Sequence, residues 1–194
     1  MKKRPRVLIA CEFSGTVREA FKRVGCDAWS CDLLDTERKG NHIVGDALQV
    51  VNQGWDLVIA HPPCTFLANS GVRWLNGNKK RWRAMEDGAA FFRAILQAPC
   101  PRVAVENPIM HKHARDLAAG LPDQIIQPWM FGHGETKATC LWLRGLPPLT
   151  PTNIVSGRVA RIHRLPPSPD RWKERSRTYS GIADAMAKQW SKML

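Results

Sequence analysis

The sequence has 194 residues, of which 44% are hydrophobic and 24% charged, values that predict a single globular domain over residues 1–194. Its 29 lysines and arginines outnumber 17 aspartates and glutamates, and the net charge of +12 favours a polyanionic partner, nucleic acid first. No apolar run approaches the roughly 20 residues of a membrane span. The first apolar run, at residues 7–10, is too short for the apolar region of a signal peptide. The six cysteines are scattered and too sparse for a disulfide framework. A cytoplasmic protein without a membrane partner is expected.

Strand-like and helix-like segments alternate along the chain. Strands are predicted over 7–11, 28–31, 42–44, 57–60 and 102–105, helices over 17–24 and 83–97, and a long polar loop over 68–80. Two further strands, 125–131 and 138–143, are joined by a hairpin-type link at 132–134, and a Pro- and Arg-rich stretch, 147–177, precedes a final helix over 182–193. This order predicts an α/β fold with a mostly parallel, doubly wound sheet and one antiparallel edge strand.

Two reactive side chains follow apolar strands. Cys64 ends the tetrapeptide His61-Pro62-Pro63-Cys64 directly after strand 57–60, and Glu106-Asn107 follows strand 102–105. Because ligands of open α/β sheets bind beyond the carboxyl ends of the strands, we predict a Cys64 nucleophile and a Glu106 carboxylate at one edge. Asn107 is expected to orient the loops through its amide. The alternative interpretation is a buried, inert thiol and a glutamate paired with one of the many arginines.

The first strand-to-helix turn, Glu12-Phe13-Ser14-Gly15-Thr16, lies where such folds bind nucleotide-like ligands. A pyrophosphate loop normally has more than one glycine, so this turn favours an adenosyl ligand without phosphates over a dinucleotide. Asp32 and Asp46 follow the next two strands and could accept hydrogen bonds from ribose hydroxyls and an adenine amino group. An ordinary turn and two solvated aspartates are the alternative.

Basic residues interleaved with tryptophans occur in two segments. The first contains Arg73, Trp74, Lys79, Lys80, Arg81 and Trp82, and the second contains Arg158, Arg161, Arg164 and Trp172. Lysine and arginine neutralise phosphates and indoles stack on bases, so we predict nucleic-acid binding rather than a merely solvated surface. His111 and His113 lack the paired spacing of zinc sites, and no metal is predicted.

These motifs resemble the conserved blocks of the cytosine-5 DNA methyltransferases, in order and in spacing through the first 110 residues. The blocks are Phe13-Ser14-Gly15, Asp32, Gly45-Asp46, Pro63-Cys64 and Glu106-Asn107, with looser matches over Lys137 to Leu143 and at Ser180-Gly181-Ile182-Ala183. Small phage-type members are the most similar.

The resemblance implies a Rossmann-like methyltransferase fold, S-adenosylmethionine as methyl donor and DNA as substrate. It implies that Cys64 attacks C6 of a cytosine that has left the base stack, that Glu106 contacts N3 and the amino group, and that C5 is then methylated. It assigns the cofactor to Phe13, Ser14, Gly15, Thr16, Asp32, Asp46, Pro62 and Pro63, and places Lys137 near the nucleic acid.

The chain departs from this family at several positions. Thr65 replaces the usual glutamine after Pro-Cys, His61 stands where glycine-rich sequence is usual, and Pro108 replaces a valine. Only about 35 residues separate Leu143 from the last block, so a basic insertion, 144–180, takes the place of a target-recognition domain. Target sequence, strand preference and oligomeric state stay open.

Two other functions fit parts of the sequence. An amino-methyltransferase acting on adenine or cytosine has an Asp/Asn-Pro-Pro-aromatic motif, which His61-Pro62-Pro63-Cys64 partly matches. A catalytically inactive DNA-binding or regulatory protein would keep the fold and the charge.

Overall fold

The strand β1, Arg6–Ala10, lies in the interior of a seven-stranded sheet in the computed structural model, which describes residues 3–194. The other strands are β2 (Asp27–Asp32), β3 (His42–Val44), β4 (Leu57–Ala60), β5 (Val103–Asn107), β6 (Gln124–Ile126) and β7 (Thr139–Arg144). The helices are α1 (Thr16–Arg23), α2 (Ala47–Val50), α3 (Lys79–Leu96), α4 (Lys112–Ala118), α5 (Arg161–Arg164), α6 (Arg171–Ser176) and α7 (Ser180–Trp190). Short 3-10 helices cover Asn69–Leu75, Pro128–Met130 and Ser191–Met193.

The strand order is β3-β2-β1-β4-β5-β7-β6, and only β7 runs against its neighbours. The prediction of a doubly wound, mostly parallel sheet with antiparallel pairing at one edge is confirmed. In detail, β7 lies second from that edge and β6 is outermost. The chain order reverses between β1 and β4, so the loops that follow these two strands face each other at the topological switch point.

Side chains alternate between two cores, as a sheet covered on both faces requires. Leu8 and Val58 point into one core with Phe92 of α3, whereas Ile9 and Ile59 point into the other. This second core is closed by α1 and α7, and its largest buried side chain is Trp190. Burial of both faces explains why the strands read as continuous apolar runs.

Some predicted boundaries were wrong. The loop predicted over 68–80 contains the 3-10 helix Asn69–Leu75, and α3 begins at Lys79 because Asn78 caps it by accepting from the Arg81 amide at 2.9 Å. The predicted strand 125–131 ends at Ile126, because Pro128 begins a 3-10 turn. The helices α2 and α4 were not predicted.

The insertion, residues 144–180, crosses the carboxyl edge of the sheet. Its first part runs beside residues 129–136, where Phe131 bridges Asn153 and Glu135 bridges Val159. It then forms α5 and α6 and reaches the loop after β2, where Arg177 pairs with Glu37 at 2.6 Å. Within residues 3–194, no helix is both long and apolar enough to cross a membrane.

Candidate active site

The loop after β4 holds Cys64 in a fixed position. The Cys64 carbonyl accepts hydrogen bonds from the amides of Leu67 and Ala68, at 3.0 and 2.9 Å. Upstream, the buried Asn107 amide donates to the Pro62 carbonyl at 3.1 Å, so β5 positions the loop that carries the thiol. This contact involves the loop that Asn107 is predicted to orient, and that role stays a prediction.

Cys64 and Glu106 line the same cavity, of about 110 Å³, at the carboxyl ends of β1, β4 and β5. The wall also includes Cys11, Glu12, Phe13, Ser14, His61, Pro62, Pro63, Pro108, Lys137, Arg175, Ser176 and Thr178. The structure therefore brings the predicted nucleophile, the predicted carboxylate and three residues of the first strand-to-helix turn, Glu12, Phe13 and Ser14, around one space.

Glu106 is held by His61. The His61 Nδ1 lies 3.1 Å from Glu106 Oε2, and the two side chains are only 7% and 15% exposed. Burial acts to raise the pKa of Glu106, but the hydrogen bond and charge of His61, with the charge of Lys137, outweigh it and leave that pKa below its usual range. Glu106 is therefore a carboxylate at neutral pH.

The Cys64 thiol has the opposite shift. Burial and then the negative charge of Glu106 raise its pKa, against the opposing positive charges of Arg175 and Lys137. At neutral pH the sulfur is protonated, and a thiolate requires a proton acceptor.

The turn after β1 is organised by Glu12, which is buried and accepts from the Val17 amide at 2.7 Å and the Arg18 amide at 3.2 Å. The Ser14 hydroxyl donates to the Glu12 carboxylate at 3.2 Å and also lies 3.2 Å from the Thr16 hydroxyl. The Glu12 carboxylate thus occupies the first amides of α1, where a pyrophosphate would otherwise bind.

Gly15 adopts a left-handed φ of 67° at the start of α1. A Cβ there would lie 2.7 Å from the Arg18 guanidinium, so glycine is required by packing as well as by backbone conformation.

Arg18 is a structural determinant that sequence reasoning missed, because an arginine in an amphipathic helix is normally exposed. Its side chain is fully buried and donates to Ser30, to Thr36 and to the Arg38 carbonyl, at 2.8, 3.1 and 2.6 Å. These bonds fix the loop that follows Asp32, the last residue of β2.

Asp32 and Asp46 end neighbouring strands and lie close enough that both act on the Cys31 thiol. Burial, followed by these two carboxylates, raises the pKa of Cys31 to about 11. Asp32 also accepts from the amide of Leu34 in the loop at 3.1 Å, and Asp46 caps α2 by accepting from the Leu48 amide at 2.9 Å. Beside them Leu33 is 75% exposed, an apolar surface that sequence reasoning did not single out.

Cys11 ends β1 with a left-handed φ of 57°, which is unusual for a residue other than glycine. Burial, then the charges of Asp32, Cys31 and Asp46, raise its pKa. Backbone strain of this kind concentrates at functional sites, and Cys11 lines the cavity.

The predicted nucleic-acid-binding residues fall into two groups. Arg73, Lys79, Lys80 and Arg164 are exposed, and Trp74 beside them is 57% exposed. The remaining residues also make contacts within the chain: Arg81 donates to the Thr65 carbonyl, Arg158 stacks on Trp129, Arg161 pairs with Glu135, and Lys137 donates to the Arg177 carbonyl.

The insertion covers the site. Trp172 of α6 packs on Phe13 with ring centroids 5.9 Å apart, and Arg175, Ser176 and Thr178 line the cavity opposite Cys64. The carboxylate of Glu135, which accepts from Arg161, also accepts from the Tyr179 hydroxyl at 2.7 Å. The sequence identified this segment as basic but did not indicate that it folds over the strand ends.

The histidines set aside as non-ligands have local partners. His111 caps α4 by accepting from the Ala114 amide at 3.1 Å, and His113 packs against Trp82. Among residues 3–194, no three histidine, cysteine or carboxylate side chains are grouped as a metal site would require, and all six cysteines are free thiols.

No family model and no curated protein matches this chain. Among solved structures, it is similar to a protein assigned as a DNA modification methyltransferase, encoded within an Escherichia coli prophage. The TM-score is 0.50 at 14% identity, over 78% of this chain and 52% of that one. The methyltransferase EhMeth of Entamoeba histolytica aligns with a TM-score of 0.48 at 14% identity, over 79% of this chain and 58% of that one.

The chain shares its fold with the prophage protein. It spans about half the length of the prophage protein, 52%. At 14% identity the likeness establishes the architecture, and the chemistry must be argued from the site itself.

Proposed function

We propose that this protein is an S-adenosylmethionine-dependent methyltransferase that acts on C5 of cytosine in DNA through a covalent Cys64 adduct. The observation that carries the proposal is that Cys64 and Glu106, from the ends of adjacent parallel strands, line one cavity with Phe13 and Ser14. A nucleophile, a carboxylate and a cofactor turn at one topological switch point are the groups that this reaction needs.

The chemistry of each group follows from its position. Cys64 Sγ attacks C6 of the ring, which makes C5 nucleophilic, and Glu106 accepts a hydrogen bond from the exocyclic amino group. Since His61 holds Glu106 Oε2, the carboxylate presents Oε1 to the base. The hydrogen bond from Asn107 to the Pro62 carbonyl fixes the loop that carries Cys64 relative to β5.

The cofactor turn suits S-adenosylmethionine better than a dinucleotide. Glu12 already satisfies the first amides of α1, and its negative charge would repel a pyrophosphate. Asp32 and Asp46 offer carboxylates for ribose and adenine, Leu33 offers an apolar surface for the adenine ring, and Pro62 and Pro63 close the cavity. When bound, S-adenosylmethionine supplies the methyl group.

DNA as substrate is supported by the charge of +12 and by the exposed cluster of Arg73, Trp74, Lys79 and Lys80. The similar prophage protein is described as a DNA modification methyltransferase, which points in the same direction. Free thiols throughout the chain suit a reducing cytoplasm.

The insertion, in place of a target-recognition domain, controls access to the cavity. Binding sites for small molecules typically enclose about 300–1,000 Å³, whereas this cavity has about 110 Å³. Arg175, Ser176 and Thr178 must therefore move when a base and the cofactor bind together.

An amino-methyltransferase is the weaker candidate. The first position of its motif is an aspartate or asparagine, whose side-chain oxygen accepts a hydrogen bond from the target amino group, whereas this chain has His61 there. The fourth position is a cysteine rather than an aromatic residue.

Covalent trapping tests the proposal. DNA that contains 5-fluorocytosine cannot lose a proton from C5, so the adduct with Cys64 should persist in the presence of S-adenosylmethionine and survive denaturing electrophoresis. Cys64→Ala should abolish trapping, while Cys26→Ala, a buried thiol at the end of α1 away from the cavity, should retain it.

Three results would reject the proposal. Trapping by the Cys64→Ala variant removes this thiol from the mechanism. Methyl groups found on amino nitrogens favour the amino-methyltransferase, and absence of S-adenosylmethionine binding by calorimetry favours an inactive DNA-binding protein.

A further inference from the structure

His61 is a buried titratable residue with one unused nitrogen at the site. Its side chain is 7% exposed, Nδ1 lies 3.1 Å from Glu106 Oε2, and Nε2 is buried without a hydrogen-bond partner among residues 3–194. A buried imidazole nitrogen without a partner is costly, so such an atom points to a missing contact.

The contact with Glu106 determines the tautomer of His61. Because Glu106 is ionised, its oxygens can only accept, and Nδ1 must carry the hydrogen. In the neutral ring Nε2 then has a free lone pair, and the carboxylate on the opposite side would stabilise the ring when it gains a proton.

Cys64 is the group that has a proton to give. Its thiol lines the same cavity as His61, three residues away in the loop, and burial with the charge of Glu106 keeps the sulfur protonated. Hydrogen bonds between catalytic groups are often long in the free protein, so the unpaired Nε2 in this structure is compatible with proton transfer from Cys64 before substrate binds.

We propose that His61 is the general base that takes the proton of Cys64, with Glu106 orienting its imidazole. This inference rests on the proposed function for its substrate, but not for the acid-base pair itself. His61 is the residue at which the chain departs from the family pattern, so the resemblance assigns it no role.

The proton and electron balance is complete. As Sγ bonds to C6, the S–H bond breaks and its proton moves to His61 Nε2. The electron pair of the C5=C6 double bond moves to C5, which becomes the nucleophile. After C5 has been methylated, its proton is lost to water, the double bond re-forms, the S–C6 bond breaks, and sulfur recovers the proton from Nε2.

Other titratable groups face this pair from the surrounding elements. They are Cys11 and Glu12 after β1, Lys137 before β7, Cys140 in β7, Arg175 in α6 and Tyr179 before α7. The experiment must therefore follow Cys64 itself rather than total thiol reactivity.

The test is the pH dependence of Cys64 alkylation by iodoacetamide, followed by peptide mass spectrometry on the full chain. We expect the wild-type rate to rise with pH in a phase that precedes ionisation of the Cys64 thiol itself. His61→Asn keeps an amide N–H for Glu106 but cannot accept the proton, so this phase should disappear and the rate at pH 7.5 should fall by about 10-fold or more. His61→Gln, which keeps a polar atom near Nε2, should behave in the same way.

An alkylation profile of His61→Asn that superimposes on wild type overturns the proposal. If circular dichroism shows that both variants misfold, a measurement on the wild type decides instead. Methylthiolation of Cys64 should shift the NMR resonance of His61 Nε2, and an unchanged resonance overturns the proposal.

The assay contains neither DNA nor cofactor, so its failure is separate from failure of the proposed function. In a methyl-transfer assay His61→Asn should lower kcat by about 10²–10⁴-fold with KM for DNA unchanged. A wild type that alkylates through His61 but transfers no methyl group would refute the function and leave the acid-base pair intact.

Discussion

Replacement of Gly181 by alanine tests how α7 docks onto the sheet. Gly181 is the second residue of α7, and its amide donates to His133 Nε2 at 3.0 Å. A Cβ on Gly181 would overlap the Phe131 carbonyl oxygen, far inside the 3.0 Å that real Cβ contacts keep, and would also meet His133 Cδ2 at 3.2 Å. The backbones of α7 and residues 131–133 would have to separate by about 1 Å.

The expected cost follows from opposing contributions. Alanine gains roughly 0.5–1 kcal/mol over glycine within a helix. Overpacking typically costs about 1–3 kcal/mol, and more when the obstacle is backbone rather than a mobile side chain. We therefore expect the free energy of unfolding to fall by about 1–3 kcal/mol, which for a chain of this size lowers Tm by roughly 2–12 °C.

Urea unfolding followed by tryptophan fluorescence measures the change, since Trp190 of α7 is buried. Gly45→Ala is the matched control, because no atom lies within 4 Å of a Cβ there and Gly45 has no left-handed φ. If Gly181→Ala is as stable as Gly45→Ala, the close approach of α7 to Phe131 is not a feature of the folded protein.

Three further changes have outcomes that the structure determines. Arg18→Met should reduce the free energy of unfolding by about 2–4 kcal/mol and weaken S-adenosylmethionine binding in calorimetry, because it leaves buried acceptors of the loop after β2 without donors. Burial and the charge of Glu106 raise the pKa of Cys140 to about 11, so its thiol should stay protonated and resist Ellman's reagent at pH 8 until the chain unfolds. Replacing both Lys79 and Lys80 by alanine should make the plot of log K for DNA against log salt less steep, by up to about 0.9 for each phosphate that these lysines neutralise.

Each of these outcomes has its own control. Arg23→Met, on the exposed side of the same helix, should change stability little, and equal destabilisation by the two substitutions would show that Arg18 is not a buried anchor. Cys140 reacting as fast as a free thiol in the folded chain would contradict its burial. Alanines at Lys188 and Lys192 remove the same charge elsewhere, and an equal change in salt slope would disprove a local binding surface.

In the site, the sequence predicted the features that depend only on the order of neighbouring residues along the chain. Cys64 and Glu106 each follow an apolar strand directly, and parallel strands place their carboxyl ends at one edge, so their convergence could be predicted without coordinates. His61 was visible as a departure from the family pattern, but its bond to Glu106, 45 residues away, depends on the pairing of β4 with β5.

The sequence alone determined the alternation of strands and helices, the parallel sheet and the strand-end position of the reactive groups, because hydrophobic periodicity and turn residues act over a few neighbouring positions. Only the tertiary structure decided that Arg18 is buried, that Glu12 fills the start of α1 and that the insertion covers the cavity. Each of these depends on contacts between distant segments, such as Arg177 with Glu37 and Trp172 with Phe13, whose partners no local pattern specifies.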